Sequence, residues 1–173
     1  MNRRQFLRWS LAGTAVTLTG AGGWLAVADK AQLPSLLDVV TAIEQNQALA
    51  VQGTWSVAKT LYHCAQSIEM SMTGYPVHKS EGFKQTIGQL ALSVFAKSGS
   101  MTHGLSEPIP GALNLPDNDD VLLAKQRLVD AAQVFSDYTN TLQPHFAYGA
   151  LNKEAYEMAH VLHILDHIPQ LRV

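Results

Sequence analysis

Residues 54–72, TWSVAKTLYHCAQSIEMSM, carry the reading of the fold. Ala58, Leu61, Ala65, Ile68 and Met72 recur at spacings of three and four, which gathers them on one side of an α-helix. Thr54 is the expected cap at its start. Thr73-Gly74, just before Tyr75-Pro76, is the expected stop. His63 falls nearly opposite the apolar side, among Ser56, Lys59, Ser67 and Met70. That position argues against a histidine packed in a core; it fits a plainly exposed histidine or a ligand.

The same punctuation repeats on either side. Pro34-Ser35 opens a helix expected through about Ala50, and another is expected from about Ser80 to Lys97, ending at Ser98-Gly99. A long loop with Pro108, Pro110 and Pro116 follows. Asp119-Asp120 then starts a helix expected through about Leu142, and Asn152 caps a last one from Lys153 to His167, closed by Pro169. No segment alternates over strand length, and there is no internal repeat or low-complexity tract. The expectation is an all-α, up-and-down four-helix bundle with an extra N-terminal signal helix.

The 173 residues suffice for one domain with a real core. With 47% hydrophobic and 15% charged residues, the chain is neither disordered nor a nucleic-acid binder by composition. Residues 1–28 read as an export signal. Arg3, Arg4 and Arg8 precede an apolar run from Leu11 to Ala28 that ends in AVA, before Asp29. The pair Arg3-Arg4 ahead of Phe6-Leu7 resembles the twin-arginine signature, which implies that export machinery as a partner. Residues 29–173 are then the mature domain, in the periplasm. No stable membrane insertion is expected once the signal is cleaved, and tethering to the inner membrane if it is not. Cleavage after Ala28 removes three arginines and no acid, taking the net charge from −2 to −5. A mildly acidic domain argues against DNA or anionic lipid as the partner. The single Cys64 cannot form an intramolecular disulfide.

Function is concentrated near the C-terminus, in AHVLHILDHI, residues 159–168. At about 100° per residue, His163, His167, His160 and Tyr156 share one stripe about 60° wide. His163 and His167 have the i, i+4 spacing that lets two imidazoles reach one ion. A metal site needs a third ligand from elsewhere, and His63 is the candidate. His160 reads as a pocket-lining neighbour. His145, flanked by Pro144 and Phe146, either lines the same pocket or fills a turn. His78 and His103 lie in loops and read as solvated, and Asp166 as an ordinary solvated carboxylate or a support for a histidine. Cys64, about 100° from His63, is expected in the core.

TWSVAKTLYHCAQS resembles the signature of the DinB-like superfamily, which includes YfiT-type hydrolases and thiol-dependent transferases. The likeness rests on Trp55, Ser56 and Val57 opening the helix and His63 following. Together with SEPIPGA, PHFAYGAL and AHVLHILDH, it resembles an exported branch of that superfamily, domain-of-unknown-function family 1569. The resemblance implies a three-histidine metal site of His63, His163 and His167. One run typical of the superfamily is missing: Asp166 stands where the first of two adjacent histidines would be, and Ile168-Pro169 replaces a polar continuation. Three neutral imidazoles suit Zn, Ni, Fe or Mn. The expectation is a divalent-metal protein acting on a small-molecule substrate as hydrolase or transferase, with a homodimer left open. No general base or other catalytic residue is evident, Glu69, Glu154, Tyr148 and Tyr156 being weak candidates. The alternative is a helical binding module that keeps the fold without metal chemistry, working through the loop at 99–119.

Overall fold

The computed structural model describes residues 33–116 and 118–172, so the expected signal segment at 1–28 and its helix lie outside the described residues. The described chain is all-helical, with no β-strand among the described residues. Its elements are α1 (Leu36–Gln45), α2 (Val57–Thr73), α3 (Glu81–Phe83), a π turn (Lys84–Gly88), α4 (Gln89–Ser98), α5 (Val121–Asp137) and α6 (Lys153–His167), followed by a 3-10 turn (Pro169–Leu171).

Helices α1, α2, α5 and α6 each begin where a short polar side chain takes an orphan amide. Ser35 and Asp38 form a reciprocal capping box on α1. Ser56 caps α2 through Lys59 N, Asp120 caps α5 through Leu123 N, and Asn152 caps α6 through Ala155 N. Such caps contribute about 1 kcal/mol each. Thr54 is not the cap of α2: its amide and hydroxyl instead bond Ser106 Oγ, at 2.8 and 3.0 Å.

Two helices end earlier than their apolar pattern suggests, each because its last carbonyls find another partner. α1 stops at Gln45, and the buried Lys125 of α5 donates to the carbonyls of Glu44 and Asn46 at 3.2 and 2.6 Å. α5 stops at Asp137, where Lys153 takes the carbonyls of Ser136 and Tyr138. The expected third helix forms as one run whose first turns widen into the π turn.

The core lies between α1, α2, α5 and α6. Leu36, Ile43, Leu61, Ile68, Leu128, Phe135 and Ile164 are each no more than 2% exposed. Large apolar side chains buried to this extent contribute about 1.5–3 kcal/mol each. On the α2–α5 seam, Arg127 and Glu69 form a two-pronged ion pair at 2.8 and 2.7 Å.

The feature that positions the site is the other side of α2. Residues 61–68 are buried all round the helix, polar ones included. Loop residues 99–116 and 118–120 lie over the face that the wheel leaves polar, with Tyr62 Oη donating to Asn118 Oδ1 and Gln66 Nε2 to the Leu113 carbonyl. His63 is therefore 3% exposed, not at the surface.

Candidate metal centre

Helix geometry and the long loop bring four histidines together. His63 comes from α2, His163 and His167 from α6, and His103 from the loop. One ring nitrogen from each lies within 4.8 Å of the others. The ring centroids of His63 stand 5.0 and 5.2 Å from those of His163 and His167, and those of His103 stand 4.6 and 4.8 Å from the same pair. The i, i+4 spacing sets His163 Nε2 3.2 Å from His167 Nε2. Trp55, just before the helix, sets its ring edge-on to His63 at 5.2 Å.

The structure corrects the expectation of a solvated His103. Asp166 accepts both its backbone N–H at 3.2 Å and its Nδ1–H at 2.8 Å. That carboxylate is itself buried and flanked by Arg172 at 3.6 Å, so it is not an ordinary solvated one. With its proton directed to Asp166, His103 presents the Nε2 lone pair inward, 3.1 Å from His167 Nε2. A carboxylate that accepts the far ring N–H of an imidazole in this way is a typical outer support of a metal ligand. Sequence reasoning missed His103 because nothing local pairs it with Asp166, 63 residues away.

The nitrogens facing one another cannot satisfy themselves. His167 Nε2 meets two other nitrogens and carries at most one proton. His167 Nδ1 and His63 Nδ1 are buried without any hydrogen-bond partner. Each such orphan costs about 1–3 kcal/mol. A cation accepts the lone pairs that face one another and removes that conflict, while the orphan on the opposite ring nitrogen of His167 stays. Donors at about 2.0–2.1 Å from a tetrahedral ion stand about 3.3 Å apart, close to the spacing of the facing nitrogens.

Electrostatics favour the same chemistry. Burial, with His103 adding to it, lowers His63 to about 4. Burial, with His103 and His63, lowers His167 to about 3, and burial with the surrounding imidazoles holds His163 well below its ordinary value. These side chains are neutral at pH 7, the form that ligates a metal. Cys64 is buried, with its thiol pushed up to about 12, so it supplies no thiolate.

Beside the four histidines lies a cavity of about 210 Å3. His145 and His160 line it, and neither belongs to the cluster of four. His145 thus does both things open to it, closing a turn and facing the cavity. His78 is exposed, as its loop position suggests. Glu69 is engaged by Arg127, Glu154 is exposed at the start of α6, and Tyr156 donates its hydroxyl to the Gln143 carbonyl at 2.6 Å. Of the weak catalytic candidates, Tyr148 alone lines the cavity.

A model of the twin-arginine translocation signal matches residues 1–20, which supports export across the cytoplasmic membrane. No helix of the described residues is long and apolar enough to cross a membrane. No curated protein and no solved structure matches the chain. The model of a protein family of unknown function, DUF1569, matches residues 28–173, so the chain belongs to that family.

Proposed function

We propose that this exported protein binds one divalent metal ion through His63, His163 and His167, with His103 as a fourth imidazole supplied by the loop. The observation that carries this reading is the set of facing nitrogens, two of them at 3.1 and 3.2 Å from His167 Nε2, which no assignment of protons can satisfy together. The donor set is imidazole alone, which suits Zn, Ni, Fe or Mn. A divalent ion held there would polarise a carbonyl or lower the pKa of a bound water.

In this reading residues 29–173 form the mature periplasmic domain, a DinB-like four-helix bundle freed of its signal at 1–28. The packing of α1, α2, α5 and α6 round one core supports the bundle, and Ser56 as the cap of α2 gives the Trp55-Ser56-Val57 opening a structural reason. Asp166 holds His103 in one tautomer and orientation. The loop shields the imidazoles from bulk water, and the neighbouring cavity receives a small-molecule substrate for hydrolysis or group transfer.

Elemental analysis of the folded, exported protein, purified under metal-replete conditions, tests the reading. About one metal ion per chain is expected, lost in His63→Ala, His163→Ala and His167→Ala alike. A metal-free wild type would overturn it.

A further inference from the structure

Two further histidines, His145 and His160, line the cavity beside His63, His103 and His163, and the turn that carries His145 is held at several points. The turn carrying His145 is closed by paired backbone bonds between His145 and Gly149, at 2.8 and 3.0 Å. Gly149 holds a φ of 77°, which favours glycine. Three other elements clamp this turn. Gln143 N donates to the Ser71 carbonyl at 2.8 Å, Lys79 N donates to the Phe146 carbonyl at 2.9 Å, and Gln89 Nε2 donates to the Tyr148 carbonyl. Gly88 of the π turn packs so closely that a Cβ there would stand 2.0 Å from the Ala147 carbonyl oxygen.

This scaffold fixes the imidazole of His145. Its Nδ1 accepts the amides of Ala147 and Tyr148 at 3.1 and 3.2 Å, so in the neutral ring the proton sits on Nε2. The ring stacks on Tyr148, with centroids 4.3 Å apart and planes 9° apart. His160 faces the same cavity from α6. It is stacked on Tyr156 and set edge-on to Phe135, and its Nε2 is buried with no hydrogen-bond partner. His145 and His160 are 8% and 3% exposed, so neither is a surface histidine.

The rest of the lining sets the ligand's character. Met101, Pro108, Ile109 and Phe146 make much of it apolar. Its two fully charged residues, Lys79 and Glu107, are opposite in sign and exposed. The two charged side chains of the lining thus leave no net charge of the protein to draw an ionic group into the cavity. We propose that His145 and His160 form the recognition end of a small-molecule site, in which they hold an uncharged carbonyl-type group (amide, ester or ketone) while the apolar lining covers its hydrocarbon part. The assignment rests on the proposed metal centre for where the reacting end of the ligand lies, and not for the contact with His145 and His160 themselves.

Benzamide, benzoate and toluene are suitable probes, because they share a ring and differ in the group offered to the histidines. Each is titrated into mature protein labelled with 15N in histidine, once loaded with zinc and once treated with chelator. The readout is the ring signals of His145 and His160. Benzamide should move both signals, and bind about tenfold more tightly than toluene or benzoate in the chelated protein. His160→Phe should remove that preference. His145→Phe should do the same, whereas His145→Gln, which keeps an N–H donor, should retain part of it. Thermal melting identifies any variant that fails to fold, and the comparison of probes on the wild type stands without the variants. Toluene or benzoate binding as well as benzamide, or no probe moving either signal, would overturn the assignment. A protein that binds no zinc yet still prefers benzamide would sink the metal reading and leave this one standing.

Discussion

Two groups of histidines meet at one cavity, and they differ in what each nitrogen faces. In the group of four, nitrogen faces nitrogen: His167 Nε2 stands 3.1 Å from His103 and 3.2 Å from His163. In the pair, rings lie against aromatic side chains, His145 stacked on Tyr148 and His160 on Tyr156, and both residues line the cavity. Burial depresses His63, His163 and His167 as it does both members of the pair, yet only the group of four is arranged so that its lone pairs conflict. Imidazoles crowded nitrogen to nitrogen call for a cation, whereas imidazoles set singly among aromatic rings call for a hydrogen-bonding ligand. The type of residue is the same, and the difference lies in the elements that deliver it. A helix repeat of four residues and a carboxylate-held loop bring the four together, while a clamped turn and the mid-face of α6 keep the pair apart.

The sharpest way to break this comparison is to remove one member of each group. His163→Ala or His167→Ala should lower the bound metal from about one equivalent per chain to background, read by elemental analysis. His160→Phe should leave the metal content near one equivalent. Equal metal loss in both would erase the distinction between the groups.

Acid probes the buried, neutral state of the pair next. Burial holds His145 and His160 down to about 3, against an ordinary value of 6.5. Between those values the unfolded chain takes up protons that the folded protein refuses. Stability is thus constant above about pH 6.5 and falls as pH drops below it, by about 1.4 kcal/mol per pH unit for each such histidine. Melting curves of chelated protein at pH 7.5 and 5.5 should show this fall, and His160→Phe should make it shallower by one histidine's share. A melting temperature indifferent to pH over that range would contradict the buried, neutral state of the pair.

Asp166→Asn probes the support of one ligand. The amide can still accept from His103, but it loses the charge that strengthens the imidazole as a donor to metal. Metal affinity should fall about 10- to 100-fold by competition with a chromophoric chelator, with the fold intact. The smallest effect is expected on the far side of α2. Glu69→Gln loosens a half-exposed ion pair with Arg127 and should cost at most about 1 kcal/mol in urea unfolding, with metal content unchanged.

How far the chain could be read before its structure depended on the distance between interacting residues. The last helix was legible from Asn152 to His167, because cap, periodicity and Pro169 all act locally. The spacing of His163 and His167 was legible for the same reason. The burial of His63 was not. A helical wheel reports which side of α2 is apolar, and says nothing of a loop from 99–120 that covers the polar side. His103 escaped notice because its partner Asp166 lies far along the chain. The early ends of α1 and α5 depend likewise on Lys125 and Lys153, each reaching in from another helix.

X-ray absorption at the edge of whichever metal copurifies tests the central claim most directly, because it reports the neighbours of the ion itself. The account predicts a first shell dominated by imidazole nitrogens at about 2.0–2.1 Å if the ion is zinc, with no sulfur neighbour. A sulfur in that shell, or a shell of oxygens without imidazole, would contradict it.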